Sequence, residues 1–134
     1  MPGIDECLLE AMTLPGVLGA ALVDWTSGLA LGAVGDSPVG DHSRGAAEAA
    51  ELARAAAEFD TFGTAAPLER DPGTDPAPGL EDVIVTSGNG FHVMRFVATR
   101  ADSSLVLYLW LDLAAGNLAL ARLRLRDVAE RLVL

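Results

Sequence analysis

The sequence predicts an α+β fold: a five-stranded antiparallel sheet with helices on both faces, in the order α-β-β-α-β-β-β-α. Three observations carry that expectation. In SSLVLYLWLDL, Leu105, Leu107, Leu109 and Leu111 fall on one side of a period-2 chain and Val106, Tyr108 and Trp110 on the other. A strand apolar on both sides belongs in the middle of a sheet with something covering each face. Immediately afterwards the period changes: Leu118, Ala121, Leu125, Val128 and Leu132 recur every three or four residues, with Arg122, Arg126 and Glu130 off the stripe. That spacing is a helix burying one face against the sheet. Finally, the other strands come in pairs joined by short turns, which makes neighbours antiparallel.

In chain order, Ile4, Cys7, Leu8, Ala11 and Met12 share a helical face, Asp5 and Glu6 suit the positive end of the macrodipole, and Pro15-Gly16 stops the pattern. Cys7 belongs to the apolar face, so it reads as core. Val17 to Asp24 and Gly28 to Val34 are apolar runs split by Trp25-Thr26-Ser27, with Gly28 free to take a positive φ, and they predict a hairpin. Its residues Gly19, Ala20, Ala21, Ala30 and Gly32 are small, which implies that a helix or another chain approaches the backbone closely. Trp25 at the turn reads either as a lid folded onto the core or as an exposed anchor for a partner.

After a polar connector from Gly35 to Gly40, Asp41 or Ser43 can cap a second helix, RGAAEAAELARAAAEF. Glu48, Glu51 and Glu58 mark its wet face, while Ala46, Ala50, Ala53 and Ala57 form a stripe of methyl groups. Alanine buries little area, so such a stripe is useful where two backbones come close. The partner is either a symmetry-related helix or the chain's own sheet. Phe62 to Gly79, with four Pro, three Gly and almost no apolar content, reads as a flexible loop within a single domain spanning 1–134. Leu80 to Ser87 and Phe91 to Arg100 around Gly88-Asn89-Gly90 predict a second hairpin, the Asn-Gly pair supplying positive φ.

Composition excludes several kinds of chemistry. All nine basic residues are Arg, so no GK[ST] phosphate loop and no Schiff-base lysine exists. One Cys and two His fifty residues apart give no zinc-ligand spacing, and neither a metal nor a cofactor is expected. Ser27, Ser37, Ser43, Ser87, Ser103 and Ser104 are present, but the G-x-S-x-G elbow is not, and His42 and His92 stand in no catalytic motif. The chain therefore reads as no enzyme. Net charge is −10, with −12 over Met1 to Gly90 and +2 over Phe91 to Leu134, a poor balance for a nucleic-acid partner. No apolar run approaches the roughly 18 to 20 residues of a membrane span, the N-terminus has no signal-peptide pattern, and the expectation is a cytoplasmic protein. The arginines of the last helix, Arg122 and Arg126 among them, could face an acidic protein surface or be a solvated face suited to the helix C-terminus.

With IDECLLEAM and PGVLGAALVDWTSGLALG near the start, EDVIVTSGNGFHVMRFV in the middle and LYLWLDLAAGNLALARLRL near the end, most of the chain resembles the roadblock/dynein light chain family. It is most similar to the small bacterial members found beside Ras-like GTPases. The resemblance rests on the order of elements, the D-x-x-x-G turn at Asp24 and Gly28, and the NLALAR start of the last helix. It implies a roadblock/profilin-like sheet with the first and last helices on one face and the middle helix on the other. It further implies a homodimer in which the strand from Asp82 to Thr86 pairs edge to edge while the middle helices pack, so that Ala46, Ala50, Ala53, Ala57, Val83 and Val85 would form the interface. On that reading Ala50→Glu breaks the dimer and leaves the monomer folded. The implied function is a non-enzymatic regulator or scaffold that binds a small Ras-like GTPase, with Trp25, Arg122 and Arg126 as partner contacts. Every Arg weighed sits on a predicted strand (Arg95, Arg100) or helix (Arg122, Arg124, Arg126, Arg131), which argues against an arginine finger reaching a nucleotide. The alternative is a small-ligand sensor of profilin- or PAS-like architecture; against it, no convergent polar cluster is apparent among the strands.

Overall fold

The computed structural model describes residues 3–63, 80–97 and 104–132. Helix α1 (Ile4–Ala11) leads into the hairpin β1 (Val17–Asp24) and β2 (Leu29–Gly35), then α2 (His42–Glu58) and a single helical turn α3 (Asp60–Gly63). The chain continues with β3 (Asp82–Ser87), β4 (Gly90–Val97), β5 (Leu105–Leu111) and α4 (Leu118–Arg131). The five strands form one sheet in the order β2-β1-β5-β4-β3, every neighbouring pair antiparallel. The strand that is apolar on both sides is the central one, as its pattern predicts. One element departs from expectation: Phe62 lies in α3, closed by the Phe62 N–H to the Phe59 carbonyl (3.1 Å), rather than opening a loop. Arg100 and the rest of the Pro/Gly-rich stretch, 64–79, lie outside the described residues.

Short polar side chains set the element ends. Asp41 accepts from the Ser43 amide (2.9 Å) to start α2, and Asn117 accepts from the Leu120 amide (3.0 Å) to start α4. Asp24 ends β1: its Oδ1 accepts from Thr26 N (2.9 Å) and Thr26 Oγ1 (2.6 Å), and Gly28 follows at φ +79°. Burial works to raise the Asp24 pKa, but the hydrogen bonds from Thr26, Ser27 and Ser104 outweigh it and hold the carboxyl below its ordinary value. The second hairpin turns differently from expectation. Ser87 pairs with Gly90, leaving Gly88-Asn89 as the loop, and the positive φ falls on Gly90 (+141°) rather than on Asn89.

The sheet separates two apolar layers. On one face the four leucines of β5 join Ala20, Leu22, Val93 and Val97 beneath α1 and α4, whose Cys7, Leu8, Ala121, Leu125 and Val128 all point inward. A Cβ on Gly32 would stand 2.9 Å from Ile4 Cγ2 and 3.1 Å from Leu8 Cδ1, so the small residue there is what lets α1 settle on β2. On the other face α2 covers Ala21, Val23, Phe96 and Val106 with Ala46, Ala50 and Ala53.

This last contact corrects one expectation. Ala46, Ala50 and Ala53 are 3%, 0% and 0% exposed within a single chain, and Ala57 is half-buried beside the same layer. The methyl stripe is consumed by the chain's own sheet, because the small residues of β1 and β2 let α2 come close enough to need nothing larger. It is not a surface for a second copy.

Candidate functional site

A sheet of five strands has two edges, and they are built differently. At β2 the register shifts between Leu22 and Val23, leaving Leu31 unmatched in a bulge, and Gly35 sits at φ +72°. The Asp36 amide bonds the Leu18 carbonyl (2.9 Å), so the alternation of an antiparallel ladder turns the Gly35 carbonyl outward. His42 Nε2 then donates to it at 2.9 Å. A bulge, a kink and a capped carbonyl are the usual means of blunting an edge against further pairing.

The β3 edge carries none of these devices among the described residues. Its six residues pair with β4 without a shift, from Asp82 opposite Arg95 to Ser87 opposite Gly90. The Phe96 amide bonds the Glu81 carbonyl (3.0 Å), which makes that pair a hydrogen-bonded one. The alternation then turns the backbone N–H and C=O groups of Asp82, Ile84 and Thr86 to the open side. Val83 and Val85, two of the predicted interface residues, stand half-buried on the α2 side of this edge.

Beside the edge, on the α2 face, lies a groove of about 240 Å³. Val39 of the connector before α2 and Leu52 of α2 form one wall, 38% and 42% exposed, while Val85, Met94, His92 and Tyr108 form its sheet wall. The groove exists because α2 rests chiefly on β1 and β2 and stands off from the turn end of the β3–β4 hairpin. Contrary to the sequence reading, polar groups do converge at its end. His92 Nε2 bonds Asn89 Oδ1 (2.7 Å), the Tyr108 hydroxyl bonds His92 Nδ1 (2.7 Å), and Ser87 Oγ donates to the same Asn89 oxygen. Because the Asn89 oxygen accepts only, the ring proton sits on Nε2 and Tyr108 donates to Nδ1. Trp110 Nε1 donates to the Asn89 carbonyl (2.9 Å), tying the turn to β5. Burial lowers the His92 pKa and raises that of the Tyr108 phenol, so both groups are held neutral. These groups engage one another, which leaves the cluster a brace for the turn rather than a set of donors aimed at a ligand.

On the opposite face Asp82, its side chain 10% exposed, accepts from Arg122 Nε at 2.8 Å, with Arg95 Nη1 at 4.0 Å. Arg126 pairs with Glu130 at 3.7 Å in solvent. Trp25 lies on the α2 face, its ring edge-on to Phe96 (centroids 6.3 Å, 72°), folded down as a lid. The three predicted partner contacts are thus split between two faces and do not form one patch. The groove residues Val39, Leu52 and Met94 escaped sequence reasoning because they belong to three separate segments with no shared period. Among the described residues no group of three or more His, Cys, Asp or Glu is placed to hold a metal ion, and no helix is long and apolar enough to cross a membrane.

A five-stranded antiparallel sheet in this order, with α1 and α4 on one face and α2 on the other, is the roadblock fold. Among solved structures the chain is similar to Myxococcus xanthus MglB, a roadblock-family protein, at 19% identity and a TM-score of 0.64, covering 95% of this chain and 79% of that one. The sequence matches no family model and no curated protein. The likeness read from the residues therefore holds at the level of the fold.

Proposed function

We propose that the chain is a dimeric, non-enzymatic regulator or scaffold that pairs through the β3 edge and presents the joined surface to a small Ras-like GTPase. The observation that carries the dimer is the asymmetry of the two edges: β2 is blunted by a bulge and the His42 cap, whereas β3 is regular and exposes the backbone groups of Asp82, Ile84 and Thr86. Pairing two copies about Ile84 would place Asp82 opposite Thr86 of the second copy and continue the sheet to ten strands. The groove lined by Val39, Leu52, Val85 and Met94 borders that edge and would receive apolar side chains of the second copy's α2. Its volume is below the roughly 300 Å³ of ordinary small-molecule pockets and its polar groups bond one another, which favours a protein contact over a sensed ligand. The GTPase partner follows from the roadblock resemblance, supported by the likeness in fold to MglB. With Arg122 engaged by Asp82 and Arg126 by Glu130, the bound GTPase would rely on its own catalytic groups. Such a protein works in the cytoplasm.

The test combines mass and binding. Light scattering on the purified chain should give twice the monomer mass. Ile84→Pro removes an N–H that points away from β4, so it should keep the fold and return the mass to one chain. Ras-like GTPases from the same genome, loaded with GDP or a non-hydrolysable GTP analogue, should bind the native chain with a preference for one nucleotide state. A native chain that stays monomeric, or one indifferent to every such GTPase, would sink the corresponding half of the reading.

A further inference from the structure

We propose that copies of this chain also associate head to tail, the aromatic pair at the end of α2 of one copy seating in the groove between α1 and α4 of the next. Phe59 and Phe62 are each 57% exposed and meet edge to face, centroids 6.3 Å apart at 71°. They are the only aromatic residues among the exposed large hydrophobic side chains of the described residues. Two phenyl rings side by side in water are a costly surface unless something covers them. Glu58 stands beside them and makes no ion pair among the described residues, whereas Glu48 and Glu51 on the same helix pair with Arg44 and Arg54. The knob is apolar with an acid at its side.

The matching hole lies on the opposite face. Helix α1 has 8 residues and α4 has 14, so α1 is about 12 Å long against about 21 Å and leaves part of α4 uncovered. The remaining space is a groove of about 230 Å³ whose apolar lining includes Ala11, Leu14, Leu125 and Val128; Thr13 and Glu10 also line it, and Glu10 is taken up by Arg131. That volume suits one or two inserted side chains rather than a small-molecule ligand. Arg124 stands at its rim. Among the described residues Arg44, Arg54, Arg95, Arg122, Arg126 and Arg131 all pair with a carboxylate, and Arg124 does not. With Glu10 already paired to Arg131, the rim charge left over is that of Arg124, so an acid-flanked aromatic knob and this part-apolar groove complement one another in charge and in shape.

Knob and hole are different patches, carried by elements that pack on opposite faces of the sheet, so the contact is heterologous and, repeated from copy to copy, would stack them into an open array. Antiparallel pairing at β3 has its two-fold axis perpendicular to the sheet, which would put two knobs on one side of a dimer and two holes on the other. Stacking would then be bivalent and correspondingly tighter. This doubling rests on the dimer reading, while the knob-in-groove contact does not.

Sedimentation velocity on the full chain, over rising concentration at low and high ionic strength, tests the proposal. The native chain should grow beyond its basal unit with concentration at low salt and shrink back at high salt. Phe59→Ser with Phe62→Ser, and separately Arg124→Glu, should hold it at the basal unit; both changes lie on the surface, and unchanged circular dichroism confirms the fold. Arg124→Glu combined with Glu58→Arg in one chain should restore growth by exchanging the charges. Growth from a monomeric basal unit refutes the β3 dimer and leaves the stacking contact standing. A native chain that never exceeds its basal unit, or an Arg124→Glu chain that grows like the native one, overturns the stacking contact.

Discussion

Ala50 has no exposed surface, and it belongs to the same buried layer as Val23 and Val106 of its own chain. Ala50→Glu would bury an unpaired carboxylate there and should destabilise the monomer by at least about 3 kcal/mol, read as a fall in the urea midpoint. The opposite outcome, a folded monomer with native stability, would return the stripe to a surface. His92 makes a prediction in pH. Its folded pKa lies below the ordinary 6.5 because burial disfavours the imidazolium, so the unfolded chain binds the proton first. The stabilisation is whole above pH 6.5 and is lost as pH falls from there towards the folded value. His92→Gln should therefore cost most stability at neutral pH, with the difference from the native chain narrowing as the solution is acidified; a difference constant with pH removes the linkage. Asp24 acts in a separate window, since its depressed carboxyl pKa withdraws stability only as pH falls below the carboxylate range.

At the scale of elements, most boundaries were legible because they are set by local chemistry. The run from Val17 to Asp24 is β1 to the residue, and the stripe from Leu118 to Leu132 is the buried side of α4. Asn117 Oδ1 on the Leu120 amide is worth about 1 kcal/mol at a helix start, so Asn117→Ala should lower stability by that much and Asn117→Ser by little. Thermal unfolding of the three proteins distinguishes a cap from a side chain that merely sits there. Less legible was the second hairpin, where Asn-Gly promises positive φ at the turn. The structure instead bends at Gly88-Asn89 and uses the Asn89 side chain to hold His92 and Ser87. That choice depends on Tyr108 and Trp110 arriving from β5, which no short window contains. The turn α3 was missed for a similar reason: four residues, DTFG, carry no period.

For the whole molecule, the two faces of the sheet are unequal. Leucines and valines fill the layer under α1 and α4, whereas α2 contributes mainly methyl groups to the other. Apolar area sets most of the stabilisation, so α2 should open before α4 and β5, and its amides should exchange faster in native-state hydrogen exchange. Equal protection of α2 and α4 would show that the alanine contact holds as firmly as the leucine one. The sequence by itself determined the five strands and the three longer helices, the central place of β5, the antiparallel pairing and the absence of lysine-based chemistry, because each follows from residue type or from periods within one segment. Tertiary structure alone decided which sheet edge is blunted, where the alanine stripe goes, and which side chains line the grooves. Those depend on backbones from distant segments meeting at a few ångströms, and the residues that meet there share no pattern along the chain.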